Sequence, residues 1–378
     1  MAKVFIIGPA YPLRGGLATF DELFCRAFIA QGHECEIVSY SLQYPGFLFP
    51  GTTQYDTSGI EPEGIRIHTL INSVNPLSWI KTAKFIIAQK PDFIVFRFWI
   101  PFMAPALGSI ARRVRKHGIG VLAITDNVIP HEKFPAKNIL ANYFIKGCDG
   151  FVTMSKAVMK DLEKFTDTPH RKYLLHPLYT SFGEKLDKKA ARRTLGLPEH
   201  EKIVLFFGLI RAYKGLDLLI DAFQELKGQP DIRLVIAGEF YKDKQLYLDQ
   251  IEQYGLKEQV ILHGKFIPNE AVKQYFSAAD LVALPYRDAT QSGVTQVSFH
   301  FEVPTLVTKV GGLSEVIPDK KAGYVVEPSG KAIAEAIRDY FANNRMETFT
   351  EGMKNEKKKY DWKIFVDEVL SLYQAVRK

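Results

Sequence analysis

Residues 203–223, IVLFFGLIRAYKGLDLLIDAF, decide the fold. The apolar run Ile203–Phe207 is short and meets Gly208 at once, which predicts a strand buried on both faces. From Leu216 onward apolar residues recur at Leu219, Ile220 and Phe223, the spacing of one helical face. A strand, a glycine-bounded loop and a helix make the opening of a βαβ unit. In open α/β sheets, ligands bind beyond the carboxyl ends of the strands, so this loop is also the first place to look for chemistry.

The same alternation runs through the whole chain. In the first half it predicts strands over Lys3–Gly8, Cys35–Tyr40, Ile65–Leu70, Asp92–Phe98, Gly120–Thr125, Gly150–Met154 and Lys172–His176, with helices over Leu17–Gln31, Leu77–Gln89 and Lys156–Phe165. In the second half it predicts strands over Ile203–Gly208, Arg233–Ala237, Val260–His263, Leu281–Pro285 and Thr305–Thr308. The intervening helices are expected near Leu216–Leu226, Lys244–Tyr254 and Asn269–Ala278. Two doubly wound α/β domains in tandem follow, residues 1–180 and 200–358. The charged stretch Pro177–Lys202 reads as their connection, and the amphipathic tail 359–378 as a helix packing back on the first domain.

Composition agrees with two ordinary globular domains: 378 residues, 47% hydrophobic and 24% charged. Cys25, Cys35 and Cys148 lack metal-ligand spacing and predict buried, reduced thiols in a cytoplasmic protein. The N-terminus reads as a first strand rather than a signal peptide, and the most apolar stretch, Phe93–Ile110, is broken by Arg97, Pro101 and Pro105, too soon for a membrane span. Residues 1–180 hold 20 Lys and Arg against 14 Asp and Glu, while the remainder is nearly balanced. That excess suits an anionic partner. Phe96, Phe98, Trp99, Phe102 and Met103 beside Arg112, Arg113, Arg115 and Lys116 offer one seat for it, at the inner face of an anionic membrane. No nucleic-acid recognition motif accompanies the charge.

Four strand-end loops carry candidate chemistry. Gly15 and Gly16 precede a helix start, where backbone N–H groups can meet a phosphate. Arg211 and Lys214 stand three residues apart after Gly208, where a guanidinium and an ammonium can converge on a diphosphate. Ser292 and Gly293 open a further helix, a second anion cradle, and Gly311, Gly312 and Glu315 follow another strand. The GxGxxG dinucleotide fingerprint is absent.

Together the segments 208–215 (GLIRAYKG), 281–285 (LVALP) and 310–316 (VGGLSEV) resemble, in order and spacing, the donor half of the retaining glycosyltransferases of family 4, formerly group 1. That resemblance implies the GT-B fold, two Rossmann-like domains facing across a cleft. It implies that Arg211 and Lys214 bind the diphosphate of a nucleotide sugar, that Gly16 approaches it from the other domain, and that Glu239 and the loop Gly264, Phe266, Ile267 border the nucleotide. It implies no metal, no cofactor, and a leaving phosphate that itself takes the acceptor proton. The chain departs from the family where two glutamates are usual, at Ala289 and Val297. It offers Asp288, Thr290, Gln291 and Ser292 instead, resembling a variant subgroup with a Thr-Gln-Ser-Gly signature, and Glu315 is a candidate substitute.

In the first half, the loop after the strand Gly120–Thr125 carries Asp126, His131 and Glu132. Asp126 holds the position where the family has a histidine, and either Asp126 or His131 is placed to orient or deprotonate an acceptor hydroxyl on a glycan, a lipid-linked sugar or a small molecule. Two rival readings share the architecture: a nucleotide-sugar epimerase, and a non-catalytic sugar- or nucleotide-binding protein.

Overall fold

Each half of the chain builds its own parallel sheet. The computed structural model describes residues 1–46, 53–56, 59, 61–129, 136–179, 182–289 and 292–377. In the first unit, β1 (Lys3–Ile7), β2 (Glu34–Leu42), β3 (Arg66–Asn72), β4 (Phe93–Phe98), β5 (Gly120–Thr125), β6 (Gly150–Thr153) and β7 (Arg171–Tyr173) lie in the order 3-2-1-4-5-6-7. Its helices are α1 (Gly16–Ala30), α2 (Pro76–Gln89), α3 (Ala104–Arg115), α4 (Lys137–Ile145) and α5 (Lys156–Leu162).

The second unit opens with α6 (Lys188–Leu195) and β8 (Lys202–Phe207), then α7 (Leu216–Glu225), β9 (Ile232–Ala237), α8 (Lys244–Gln253), β10 (Val260–His263) and α9 (Asn269–Ala278). It continues with β11 (Leu281–Leu284), α10 (Gly293–Phe301), β12 (Thr305–Thr308), α11 (Leu313–Val316), β13 (Gly323–Val326), α12 (Gly330–Ala342) and α13 (Met346–Lys357). Its strand order is 10-9-8-11-12-13, and β13 adds an edge strand to those the sequence predicts. The direction of winding therefore reverses between β1 and β4 in one sheet and between β8 and β11 in the other. Those two reversals are where a doubly wound sheet opens a crevice at its carboxyl edge.

Burial explains the strand composition. Every residue of β4, FIVFRF, is buried, and helices cover both faces of such a sheet. Each fully buried phenylalanine there contributes roughly 1.5–3 kcal/mol of transfer free energy. The one charged residue, Arg97, needs partners and finds them in Asp126 and Asp21.

The units divide at 177/178 and again at 360/361. Residues 178–200 thus belong to the second unit and are not a free linker: Asp187 caps α6 by accepting from Ala190 N (2.9 Å), and buried Arg192 donates to Asp280 Oδ2 (2.8 Å) and Ala278 O (3.1 Å). The tail helix α14 (Trp362–Arg377) packs within the first unit, with Tyr373 stacked on Phe93 (4.3 Å) and Trp362 against Phe20 (5.0 Å).

The aromatics expected to seat the chain on a membrane lie in or against the core instead. Phe96, Phe98 and Met103 are fully buried, Trp99 donates to Tyr44 Oη (2.7 Å), and Phe102 stacks on Tyr44. Phe96 and Phe98 fill the core because β4 is a central strand, Met103 joins them, and Trp99 and Phe102 pack half-buried against it. Of the basic groups, Arg112 lies over Tyr143 (3.9 Å), Arg113 donates to Ser109 O (2.9 Å) and Arg115 pairs with Asp149 (2.5 Å). Among the described residues, no helix is long and apolar enough to cross a membrane. All three cysteines are buried thiols.

Candidate functional site

The loops after β8 and β11 flank the reversal of the second sheet, and backbone contacts lock them together. Gly215 sits at φ +65°, and a Cβ there would stand 2.0 Å from Pro285 O, so the first loop presses on the second in a way only glycine allows. Arg287 N also donates to Tyr213 O (2.7 Å), and the Arg287 side chain pairs with Asp217 at the start of α7. The loop after β9 is tied on by Ile210 N to Glu239 O (2.8 Å) and Tyr241 N to Ile210 O (2.9 Å), which prolongs the parallel ladder past the strand ends. Gly312 N donates to Ala289 O (3.1 Å), bringing in the loop before α11.

On this platform both cations lie against aromatic rings. The guanidinium carbon of Arg211 stands 4.6 Å over Tyr241, and Lys214 Nζ stands 5.4 Å over Tyr286. Burial, then the neighbouring Arg211 charge, lowers the Lys214 pKa from its ordinary value. A Cβ at Gly208 would come within 3.2 Å of that ammonium. Tyr286 is buried, its pKa pushed up to about 12 by that burial, and its hydroxyl shares a hydrogen bond with Ser292 Oγ (3.2 Å). Ser292 caps α10, accepting from Val294 N (3.3 Å). A helix N-terminus and two cations thus converge on one sheet edge, an arrangement that attracts a diphosphate.

The first unit handles charge differently. Arg97 donates to both oxygens of Asp126, Nε to Oδ2 at 2.5 Å and Nη2 to Oδ1 at 2.7 Å, and its Nη1 lies 3.8 Å from Asp21 Oδ1. The guanidinium carbon is 3.9 Å over the Phe20 ring. All three charged residues are buried. Gly8 follows β1 beside them: a Cβ there would meet Asp21 Oδ2 at 2.1 Å, so the carboxyl occupies the space a side chain would take. Burial holds the Asp21 carboxyl well above the usual range despite the opposing effect of Arg97. Burial, reinforced by Arg97, lowers His176 to about 3, so its ring is neutral; its Nδ1 lies 2.8 Å from Pro177 O.

Residues 187–359 match the family described as glycosyl transferases group 1. They form a group 1 glycosyltransferase domain. The match spans α6 to α13, nearly the whole second unit. The chain is 24% identical over 413 aligned positions to an uncharacterized glycosyltransferase of Methanocaldococcus jannaschii, covering 98% of each. Its fold is that of sucrose-phosphate synthase from Thermosynechococcus elongatus (TM-score 0.78, 17% identity, covering 100% of this chain and 99% of that one). It is likewise that of the Anabaena protein HepE, solved in complex with UDP-glucose (TM-score 0.76, 17% identity, 98% and 100% covered). These likenesses establish two Rossmann-like domains of GT-B type.

Within the glycosyltransferase domain the structure assembles Gly208, Arg211, Lys214, Ser292 and Gly293 on one edge, with Glu239 on the adjoining loop. A Cβ at Gly264 would stand 3.1 Å from the Phe240 ring; Phe266 is exposed beyond it, while Ile267 is buried and faces the core. Glu315 is exposed on α11. Ala289 and Val297, at the family's glutamate positions, are buried apolar residues. Gly15 and Gly16 are exposed where α1 begins, Gly15 at φ +108°. Asp126 is buried on Arg97. Thr290, Gln291, His131 and Glu132 lie outside the described residues. Sequence reasoning missed the roles of Tyr241, Tyr286, Asp21 and Arg97. Only Arg97 left a signal, as one charge in an otherwise apolar strand.

Proposed function

We propose that the chain transfers a sugar from a nucleoside diphosphate sugar to an acceptor hydroxyl with retention of anomeric configuration. What carries this reading is the convergence of Arg211, Lys214 and the N-terminus of α10 at the β8/β11 reversal of a group 1 glycosyltransferase domain. Two cations and a helix end neutralise the charge that develops on a departing diphosphate, which is the largest electrostatic demand of the reaction. A UDP donor is one candidate, since the similar fold of HepE was solved with UDP-glucose. Side chains and helix ends supply the neutralisation in this reading, without a metal.

The acceptor belongs to the basic first half and is a carbohydrate, lipid-linked or small-molecule hydroxyl met in the cytoplasm, at a membrane face if lipid-linked. Because Arg97 engages both oxygens of Asp126, the leaving phosphate is favoured over that carboxylate as the group that takes the acceptor proton.

Calorimetric titration of UDP, GDP and ADP into the wild type and an Arg211→Ala, Lys214→Ala double variant tests the donor site. One nucleotide binds, and the double variant loses it. If none binds to well-folded protein, the reading fails. Product analysis with the matching sugar nucleotide, with and without acceptor, then separates transfer from epimerisation.

A further inference from the structure

We propose that Tyr241 and Tyr286 are positioning residues that hold Arg211 and Lys214 in the geometry the donor diphosphate meets, a proposal that rests on the donor-site reading above. Each cation has its own ring, supplied by a different strand end: Tyr241 from the loop after β9 (4.6 Å to the Arg211 guanidinium) and Tyr286 from the loop after β11 (5.4 Å to the Lys214 ammonium). The Tyr286 ring is fixed by burial, and the Tyr241 backbone is tied to the Arg211 loop, with Lys242 also 5.6 Å over its ring. Tyr241 is anchored through its backbone N–H on Ile210 O, and Tyr286 is buried with its hydroxyl on the α10 cap Ser292.

The choice of an aromatic partner has a physical consequence. A carboxylate beside Lys214 would cancel its charge and compete with the incoming diphosphate. A π face attracts the cation through its quadrupole yet leaves the formal charge in place. Among the described residues, no carboxylate lies within ion-pairing distance of Lys214. Both side chains are long and rotamer-rich, so a ring that restricts them before binding removes part of the ordering cost of the bound state. Tyr286 adds a link of its own: through Ser292 it ties the Lys214 environment to the helix end that faces the same anion.

The test uses the full chain in four variants, Tyr241→Leu, Tyr241→Phe, Tyr286→Leu and Tyr286→Phe. Each is titrated with whichever of UDP, GDP and ADP binds the wild type, and with the corresponding nucleoside. The leucine variants are expected to bind the nucleoside diphosphate roughly 2- to 30-fold more weakly, with nucleoside affinity unchanged, and the phenylalanine variants to recover most of the loss. Without any ligand, the ring current of Tyr286 displaces the NMR signal of 13C-methylated Lys214, assigned through Lys214→Arg, and Tyr286→Leu abolishes that displacement. The proposal is overturned if the leucine variants bind the diphosphate as the wild type does. It is equally overturned if nucleoside affinity falls in parallel, which marks a purely structural role, or if phenylalanine fails to rescue. Failure of the wild type to bind any of the three nucleotides overturns the donor reading itself and this proposal with it, an outcome distinct from normal binding by the leucine variants.

Discussion

Arg97 and Arg211 both lie where a sheet reverses its winding, in or just beyond a strand, yet their surroundings differ. Arg97 is buried between two carboxylates, its fork matched to Asp126 and its third nitrogen facing Asp21. Arg211 and its neighbour Lys214 lie on tyrosine rings. Carboxylates cancel a buried charge and commit it to the fold, whereas rings orient a charge and leave it to act on an anion. Under the proposed donor reading, the first cluster holds the fold and the second meets an anion.

The largest effect should come from breaking the buried cluster. Arg97→Ala removes the cation that the Asp126 carboxylate faces and is expected to cost about 3–5 kcal/mol of unfolding free energy in chemical denaturation. Arg97→Met combined with Asp126→Leu should recover much of that loss. A loss below about 1 kcal/mol for the single variant would show that the cluster does not hold the fold.

Substitutions in the other unit should have the opposite profile. Arg211→Ala or Lys214→Ala is expected to leave stability within about 1 kcal/mol while removing roughly 1.5–3 kcal/mol of nucleoside diphosphate binding, about 10- to 100-fold in Kd. Equal losses of stability and binding would erase the distinction between the two clusters.

Acid should weaken the first unit through His176. Its folded pKa is lowered to about 3, so between about pH 6.5 and pH 3 the unfolded chain binds a proton that the folded one refuses. Stability is present above this window and falls as pH drops, by roughly 2 kcal/mol from pH 6.5 to pH 5. His176→Gln should flatten that limb of a stability-versus-pH series. Asp21 works in reverse: its raised pKa stabilises the fold at acid pH, and the contribution is lost as pH rises, so Asp21→Asn should improve stability at pH 8 relative to the wild type.

The smallest expected effect is none. If Arg211, Lys214 and the α10 N-terminus neutralise the diphosphate, EDTA should leave nucleotide affinity unchanged. A loss restored by magnesium would assign that role to a metal instead.

The local elements and the donor loop were legible in the chain because their signals are local: short apolar runs, helical periodicity, and glycines bounding Arg211 and Lys214 within eight residues. Residues 178–200 misled because charge and a proline look like a linker when Asp280, the partner of Arg192, lies 88 residues away. The Phe93–Met103 aromatics misled for a related reason: composition cannot tell a membrane-facing ring from one in a central strand.

By itself, then, the sequence determined the two α/β sheets, the strand-end loops and the cationic pair, all of which depend on neighbours in the chain. Tertiary structure alone decided what each charge meets. Asp126 reaches Arg97 across 29 residues, and Tyr241 and Tyr286 reach Arg211 and Lys214 from other strands. Burial and the partner across the sheet set the free energy of a charge, and neither is written in the residues beside it.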